Sequence, residues 1–136
     1  MEEISLHILD MAQNATSAGA TLTEISISTD EDAGTLTVVI SDNGRGMTPQ
    51  ELARVTEPGY TTKAAGKGGM GIPLYKMAAE RTGGHFFMES EQGRGTTVTA
   101  VFLTSHPDCK PLGDMDETMT CLTSAYPDIV FDLRWN

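Results

Sequence analysis

Asp10 and Asn14 lie one helical turn apart in the segment 4–17 (ISLHILDMAQNATS), so both project from one helix face. A carboxylate and an amide oxygen facing a pocket could hold or orient a hydrated hard cation. The carboxylate could also polarise a water. A pair of solvated polar residues is the ordinary alternative. In Ser41-Asp42-Asn43-Gly44-Arg45-Gly46-Met47 a carboxylate follows an apolar strand. There it could accept a hydrogen bond from an exocyclic amine such as adenine's, and Gly44 and Gly46 would let a flat ring approach the backbone. An Asp-Gly turn explains the same residues. Gly66-Lys67-Gly68-Gly69-Met70-Gly71 precedes a helix. Glycine N–H groups and a helix N-terminus together make an anion site, and a glycine-rich linker is the alternative. The run is not a Walker A loop, because no Gly-Lys-Ser/Thr stands at the required spacing. Its G-x-G-x-x-G match follows a loop rather than a strand. Gly93-Arg94-Gly95-Thr96-Thr97 opens a strand, where a threonine hydroxyl could bond a base edge or a water. Plain turn chemistry serves there equally well.

The elements that must position these residues follow from spacing. Ile4, Ile8, Met11, Ala12 and Ala15 fall on one helical stripe over 4–17, and Gly19 suits a left-handed helix cap. Residues 23–28 alternate and 35–41 form an apolar run, so 23–41 reads as a hairpin with an acidic turn at 30–34. Thr48, Pro49 and Glu51 spell a helix start, and that helix ends near Val55. Residues 57–69 read as a mobile loop with four glycines and almost no core material. Residues 71–82 return to helical spacing, with Pro73 confined to the first turn. Strands follow at 85–90 and 96–103 around a turn at 92–95. Residues 106–114 resemble a linker, 116–125 a small helix and 128–135 a terminal strand. The order predicts a mainly antiparallel sheet with helices on one face.

Composition bounds the rest. The chain has 136 residues, 39% of them hydrophobic and 14 of them glycine, and a net charge of −10. One soluble domain fits that length, while bulk disorder, collagen and a disulfide scaffold are excluded. No apolar run is long enough for a membrane span, and the acidic start lacks the layout of a signal peptide. Cys109 and Cys121 make no framework, so a reducing cytoplasm is expected. Charge is uneven. Residues 1–44 carry eight acids and no Lys or Arg, and residues 82–136 carry eight acids and three bases. Residues 45–81 reverse the balance with six bases and three acids. Nucleic acid is an unsuitable partner for such a surface. A small anion held by the middle third agrees with it, as do scattered surface bases.

Taken in order, the four segments resemble the ATP-binding domain shared by gyrase, histidine kinases, MutL and the heat-shock chaperone of that group. Asp10–Asn14 is similar to the N-box, Asp42–Gly46 to the next box, Gly66–Gly71 to the glycine lid and Gly95-Thr96 to the closing strand motif. Glu57–Lys63 resembles the loop before the lid in histidine kinases, and Asn14–Thr21 resembles the MutL N-box. The resemblance covers about residues 5–103. It implies a Bergerat-type α/β two-layer sandwich with a mixed, mainly antiparallel sheet that binds ATP with Mg2+. Asn14 would coordinate the Mg2+ that bridges the phosphates. Asp42 would receive the adenine amine, with Thr96 helping through its hydroxyl or a water. Gly66, Gly68, Gly69 and Gly71 would close over the phosphates, with Lys63 or Lys67 supplying charge.

The departures carry information too. The hydrolysing relatives have Glu where this chain has Asp10. Aspartate is one methylene shorter, and a misplacement of about an ångström can cost roughly 10²-fold in rate. Asp10 is thus a candidate base of short reach. Typical histidine kinases have Asn there and transfer phosphate to histidine. Within these 136 residues no helical dimerisation domain bearing such an acceptor is expected. His7 lies inside the N-box helix and reads as structural or exposed; His85 and His106 have no evident partners in the sequence. The family sheet often has a strand before the N-box helix, and residues 128–135 are placed to fill that edge. The expected organisation is a domain over 1–105 and an extension over 106–136 packed on it. Three functions compete: a kinase acting on a separate protein phosphoacceptor, as the anti-sigma kinases do; a slow ATPase that switches a protein partner; and a non-catalytic ATP/ADP sensor.

Overall fold

The computed structural model describes residues 3–55 and 71–136. Helix α1 (Ile4–Ser17) forms where the apolar stripe demands it, and Ile4, Ile8, Met11, Ala12 and Ala15 are all buried. It ends at Ala18, after which Gly19 takes φ +83, the left-handed conformation that costs glycine least. Strands β1 (Leu22–Asp30) and β2 (Thr35–Asp42) pair antiparallel as a hairpin. Asp30 Oδ1 accepts the Ala33 N–H (3.1 Å) within its turn.

Helix α2 (Pro49–Arg54) starts with a reciprocal cap. Thr48 Oγ1 accepts from Glu51 N–H (3.1 Å), and Glu51 Oε1 accepts from Thr48 N–H (3.0 Å). Helix α3 (Gly71–Arg81) leads to β3 (His85–Glu91) and β4 (Gly95–Leu103), which pair antiparallel. Asp114 caps helix α4 (Met115–Ala125) by accepting from Glu117 N–H (3.0 Å). Strand β5 (Val130–Trp135) follows.

The five strands form one sheet in the order β3-β4-β2-β1-β5. All neighbours are antiparallel except β1 and β5, which run parallel with Leu22 opposite Val130. The fold class is the two-layer α/β sandwich with a mixed, mainly antiparallel sheet. Period-two alternation puts Ile25, Ile27, Val38, Ile40, Val98, Ala100 and Phe102 on the buried face. The buried stripes of α1, α3 and α4 complete that core. Each fully buried Ile, Val, Leu or Phe among them contributes about 1.5–3 kcal/mol by leaving water. Residues 128–135 were expected at the sheet edge; the strand there begins at Val130 and lies beside β1, with Leu122 of α4 fully buried behind it. Among the described residues no helix is long and apolar enough to cross a membrane.

Candidate functional site

The alternation that buries the core also brings polar residues together at one end of the same face. Ser90 stands opposite Thr96, Thr96 opposite Asp42, and Asp42 opposite Thr23. All four belong to the core-facing set of their strands, so they form one transverse row across β3, β4, β2 and β1. The hydroxyls at the β3 end have a determined polarity. Ser90 Oγ accepts from Met47 N–H (2.8 Å), donates to the Gly95 carbonyl (3.0 Å), and lies 2.8 Å from Thr96 Oγ1. Serine has one proton and a carbonyl can only accept. Thr96 therefore donates to Ser90 and keeps its lone pairs for other partners.

Asp42 is the charged member. Its Oδ1 accepts the Gly44 N–H at 2.7 Å. Burial pushes its carboxyl above the ordinary range, against the opposing pull of the Gly44 and Thr96 backbone N–H groups. Close packing of backbone makes this corner. A Cβ on Gly44 would meet Asp42 Oδ1 at 2.9 Å and the Ala18 carbonyl at 3.0 Å. At Gly46, with φ +71, a Cβ would run into the Glu91 carbonyl, so the protein's own β3 end requires glycine there. Asn43 ties the turn to β1. Its Oδ1 accepts from Thr21 N–H (2.8 Å) and Leu22 N–H (3.0 Å), and its Nδ2 donates to Thr21 Oγ1 (2.9 Å). Arg45 N–H donates to the Ala18 carbonyl (2.9 Å), which joins the turn to the end of α1.

Asp10 and Asn14 lie on the α1 face against which α3 begins. A Cβ on Gly71 would be 3.9 Å from both Asn14 Nδ2 and Asp10 Cβ. The N-terminus of α3, where backbone N–H groups and the helix dipole favour negative charge, thus sits beside both side chains. Asp10 is exposed and Asn14 is half-buried. Farther along, His7 is buried and stacks on Tyr75 with ring centroids 5.3 Å apart. Between structural and exposed, His7 is structural. Lys63, Gly66, Lys67, Gly68 and Gly69, and with them the whole of the mobile loop expected over 57–69, lie outside the described residues. Among the described residues no three His, Cys, Asp or Glu side chains gather as a metal cluster would need.

Several residues at this site went unremarked in the sequence. Ser90 and Thr23 are Ser/Thr positions in strands, a type that usually signifies β-propensity. Their importance comes from register, which links residues far apart in the chain. Asn43 had a local signal, since Asn beside Gly favours turns that accept backbone N–H groups.

The comparisons with known proteins bear on these residues as a set. The family described as histidine kinase-, DNA gyrase B-, and HSP90-like ATPase matches residues 1–106. The sensor protein SrrB of Staphylococcus aureus strain NCTC 8325 is 35% identical over 102 residues, which cover 71% of this chain and 17% of SrrB. The same protein of strain COL matches to the same extent. This chain therefore aligns with about a sixth of the length of those curated relatives.

Proposed function

Because this chain belongs to the histidine kinase-, DNA gyrase B- and HSP90-like ATPase family, we propose that the polar row and the α1–α3 junction together form its Mg-ATP site. The observation that carries the reading is the pairing of two acceptors at Asp42 and Thr96. A carboxylate and a hydroxyl oxygen with its lone pairs outward match the two N–H donors of an adenine amine. Guanine would present a carbonyl oxygen to the same carboxylate, which repels it. Gly44 keeps Asp42 in place through its N–H, and Gly46 and Gly95 let the surrounding backbone close on the same corner.

Asn14 is the proposed protein ligand to Mg2+, since an amide oxygen is a hard donor suited to that ion. The N-terminus of α3 at Gly71 would face the phosphates. Gly66, Gly68 and Gly69 would extend this cradle, and Lys63 or Lys67 would add charge. Bound Mg-ATP supplies a γ-phosphoryl group ready for transfer. Asp10 would orient or deprotonate an attacking water, with the short reach of aspartate making hydrolysis slow.

The reading is a nucleotide-dependent regulatory module that either phosphorylates a separate protein or hydrolyses ATP slowly while switching one. Its likeness to a segment of a sensor protein supports a place in signalling. The alternative, a non-catalytic ATP/ADP sensor, is favoured by the exposure of Asp10. Calorimetric titration with ATP, ADP and GTP, each with and without Mg2+, tests the site. Binding of ATP well above GTP, strengthened by Mg2+, is expected, and equal affinity for the two overturns the reading. Incubation with labelled ATP, with and without candidate partners, separates transfer, hydrolysis and mere binding.

A further inference from the structure

Thr23 is the member of the polar row that the proposed ATP site leaves without a role. It is fully buried, and its Oγ1 has no hydrogen-bond partner among the described residues. Buried polar atoms are partnered in the great majority of cases, and an orphaned hydroxyl costs about 1–3 kcal/mol. Valine has the same shape, suits strands at least as well, and would carry no such penalty. The hydroxyl therefore calls for a reason.

Its surroundings supply one. On the core face Thr23 is flanked by Phe131 of β5 and Asp42 of β2, and Ile25 follows it two residues on. Of these neighbours only Asp42 can accept a proton. Residues directly opposite on antiparallel strands have Cβ atoms about 4.5–5.5 Å apart, within reach of a carboxylate that turns on its χ angles. We infer that Thr23 is a positioning residue of the adenine pocket, whose hydroxyl donates to the Asp42 carboxylate and aims it at the base amine when nucleotide binds. On one flank Asp42 has the Gly44 N–H, and on the other Thr96 adds a second acceptor for the amine. Thr23 supplies a donor from the floor of the same row.

This inference rests on the ATP-site reading, and the test separates the two. Wild type, Thr23→Val and Thr23→Ser are titrated calorimetrically with Mg-ATP and with the triphosphate of purine riboside, the same ligand lacking the amine. Each ligand-free protein is also melted. If Thr23 acts through Asp42, Thr23→Val loses about tenfold in ATP affinity, the order expected for one hydrogen bond to a charged group. Its affinity for the amine-free ligand stays at the wild-type level, and Thr23→Ser recovers most of the loss. The ligand-free valine variant melts at or above wild type, because an orphaned hydroxyl has been removed. If valine prevents folding, Thr23→Ala removes the same hydroxyl and carries the same expectations for the two ligands. Equal weakening toward both ligands, no weakening toward ATP, or no recovery with serine overturns the inference. A wild-type protein that binds both ligands alike overturns the ATP-site reading itself, and the inference with it.

Discussion

The hydroxyl oxygens of Ser90 and Thr96 lie 2.8 Å apart across β3 and β4, and the Ser90 proton is committed to the Gly95 carbonyl. The donor in this pair is therefore Thr96. With its single proton committed to Ser90, Thr96 can act toward any further partner only as an acceptor. Ser90→Ala frees that rotor and leaves Met47 N–H without its partner. We expect ATP affinity to fall about fivefold, in keeping with roughly 1 kcal/mol for a neutral hydrogen bond. Adenine-over-guanine preference should fall with it. Calorimetry with ATP and GTP measures both, and unchanged preference would show that Thr96 does not depend on Ser90.

Asp42→Asn separates binding from stability. The folded carboxyl titrates above its ordinary value of 3.8 because burial disfavours the charge. The folded state thus holds the proton more tightly than the unfolded chain. The stability this confers is present below pH 3.8 and is lost as pH rises through the folded pKa. At neutral pH the ionised carboxylate is a burden that asparagine removes. We expect Asp42→Asn to melt higher than wild type at pH 7, with the gap closing toward pH 3.8. ATP affinity should drop by more than tenfold, since the carboxylate acceptor of a charge-assisted bond is gone. A variant that melts lower at pH 7 would contradict the burial argument.

Asn14→Ala should abolish the Mg2+-dependent part of ATP affinity and keep the adenosine-dependent part. Titration with and without Mg2+ reads the two parts separately, and a full Mg2+ effect in the variant would remove Asn14 as ligand. For Asp10 the useful series is wild type, Asp10→Glu and Asp10→Asn. The longer glutamate should raise steady-state phosphate release, and asparagine should remove it while ATP still binds. Equal rates in all three would take Asp10 out of the chemistry.

Tyr75 offers a test of the core alone. Its ring is fully buried between His7, Phe86 and Phe102, and its hydroxyl has no partner among the described residues. Burial raises its pKa far above the ordinary phenol range. Tyr75→Phe keeps the ring contacts and drops only the orphaned group. Denaturant unfolding should show the variant within about 1 kcal/mol of wild type, or more stable. A larger loss would reveal a partner for the hydroxyl.

Local periodicity carried much of the fold. The helical stripe of Ile4, Ile8, Met11, Ala12 and Ala15 is buried as a unit, and Thr48 with Glu51 forms the reciprocal cap that their spacing suggests. Asp42, Gly44 and Thr96 stand out as motif residues because turns and strand openings have local signatures. What escaped local reading is whatever depends on pairing. Alternation marks Thr23 as core-facing, yet only the register of β1 against β2 sets it across from Asp42. Ser90 likewise meets Thr96 through the β3–β4 register. The parallel direction of β5 was also out of reach, since strand propensity says nothing of which neighbour a strand joins.

The parallel pairing of β5 with β1 has a consequence for the life of the chain before it is folded. Leu22 emerges early in synthesis and Val130 late, so β1 spends most of translation with one row of N–H and C=O groups bare. Such an edge is a template for strands of other molecules. A protease cut in the exposed stretch around Thr104 and Ser105 would restore that hazard in the mature protein by loosening the hold of α4 and β5. β5 thus hems the β1 edge and becomes the edge of the sheet itself, where Arg134 beside Asp132 and Glu24 places charges of the kind that discourage a further strand from joining.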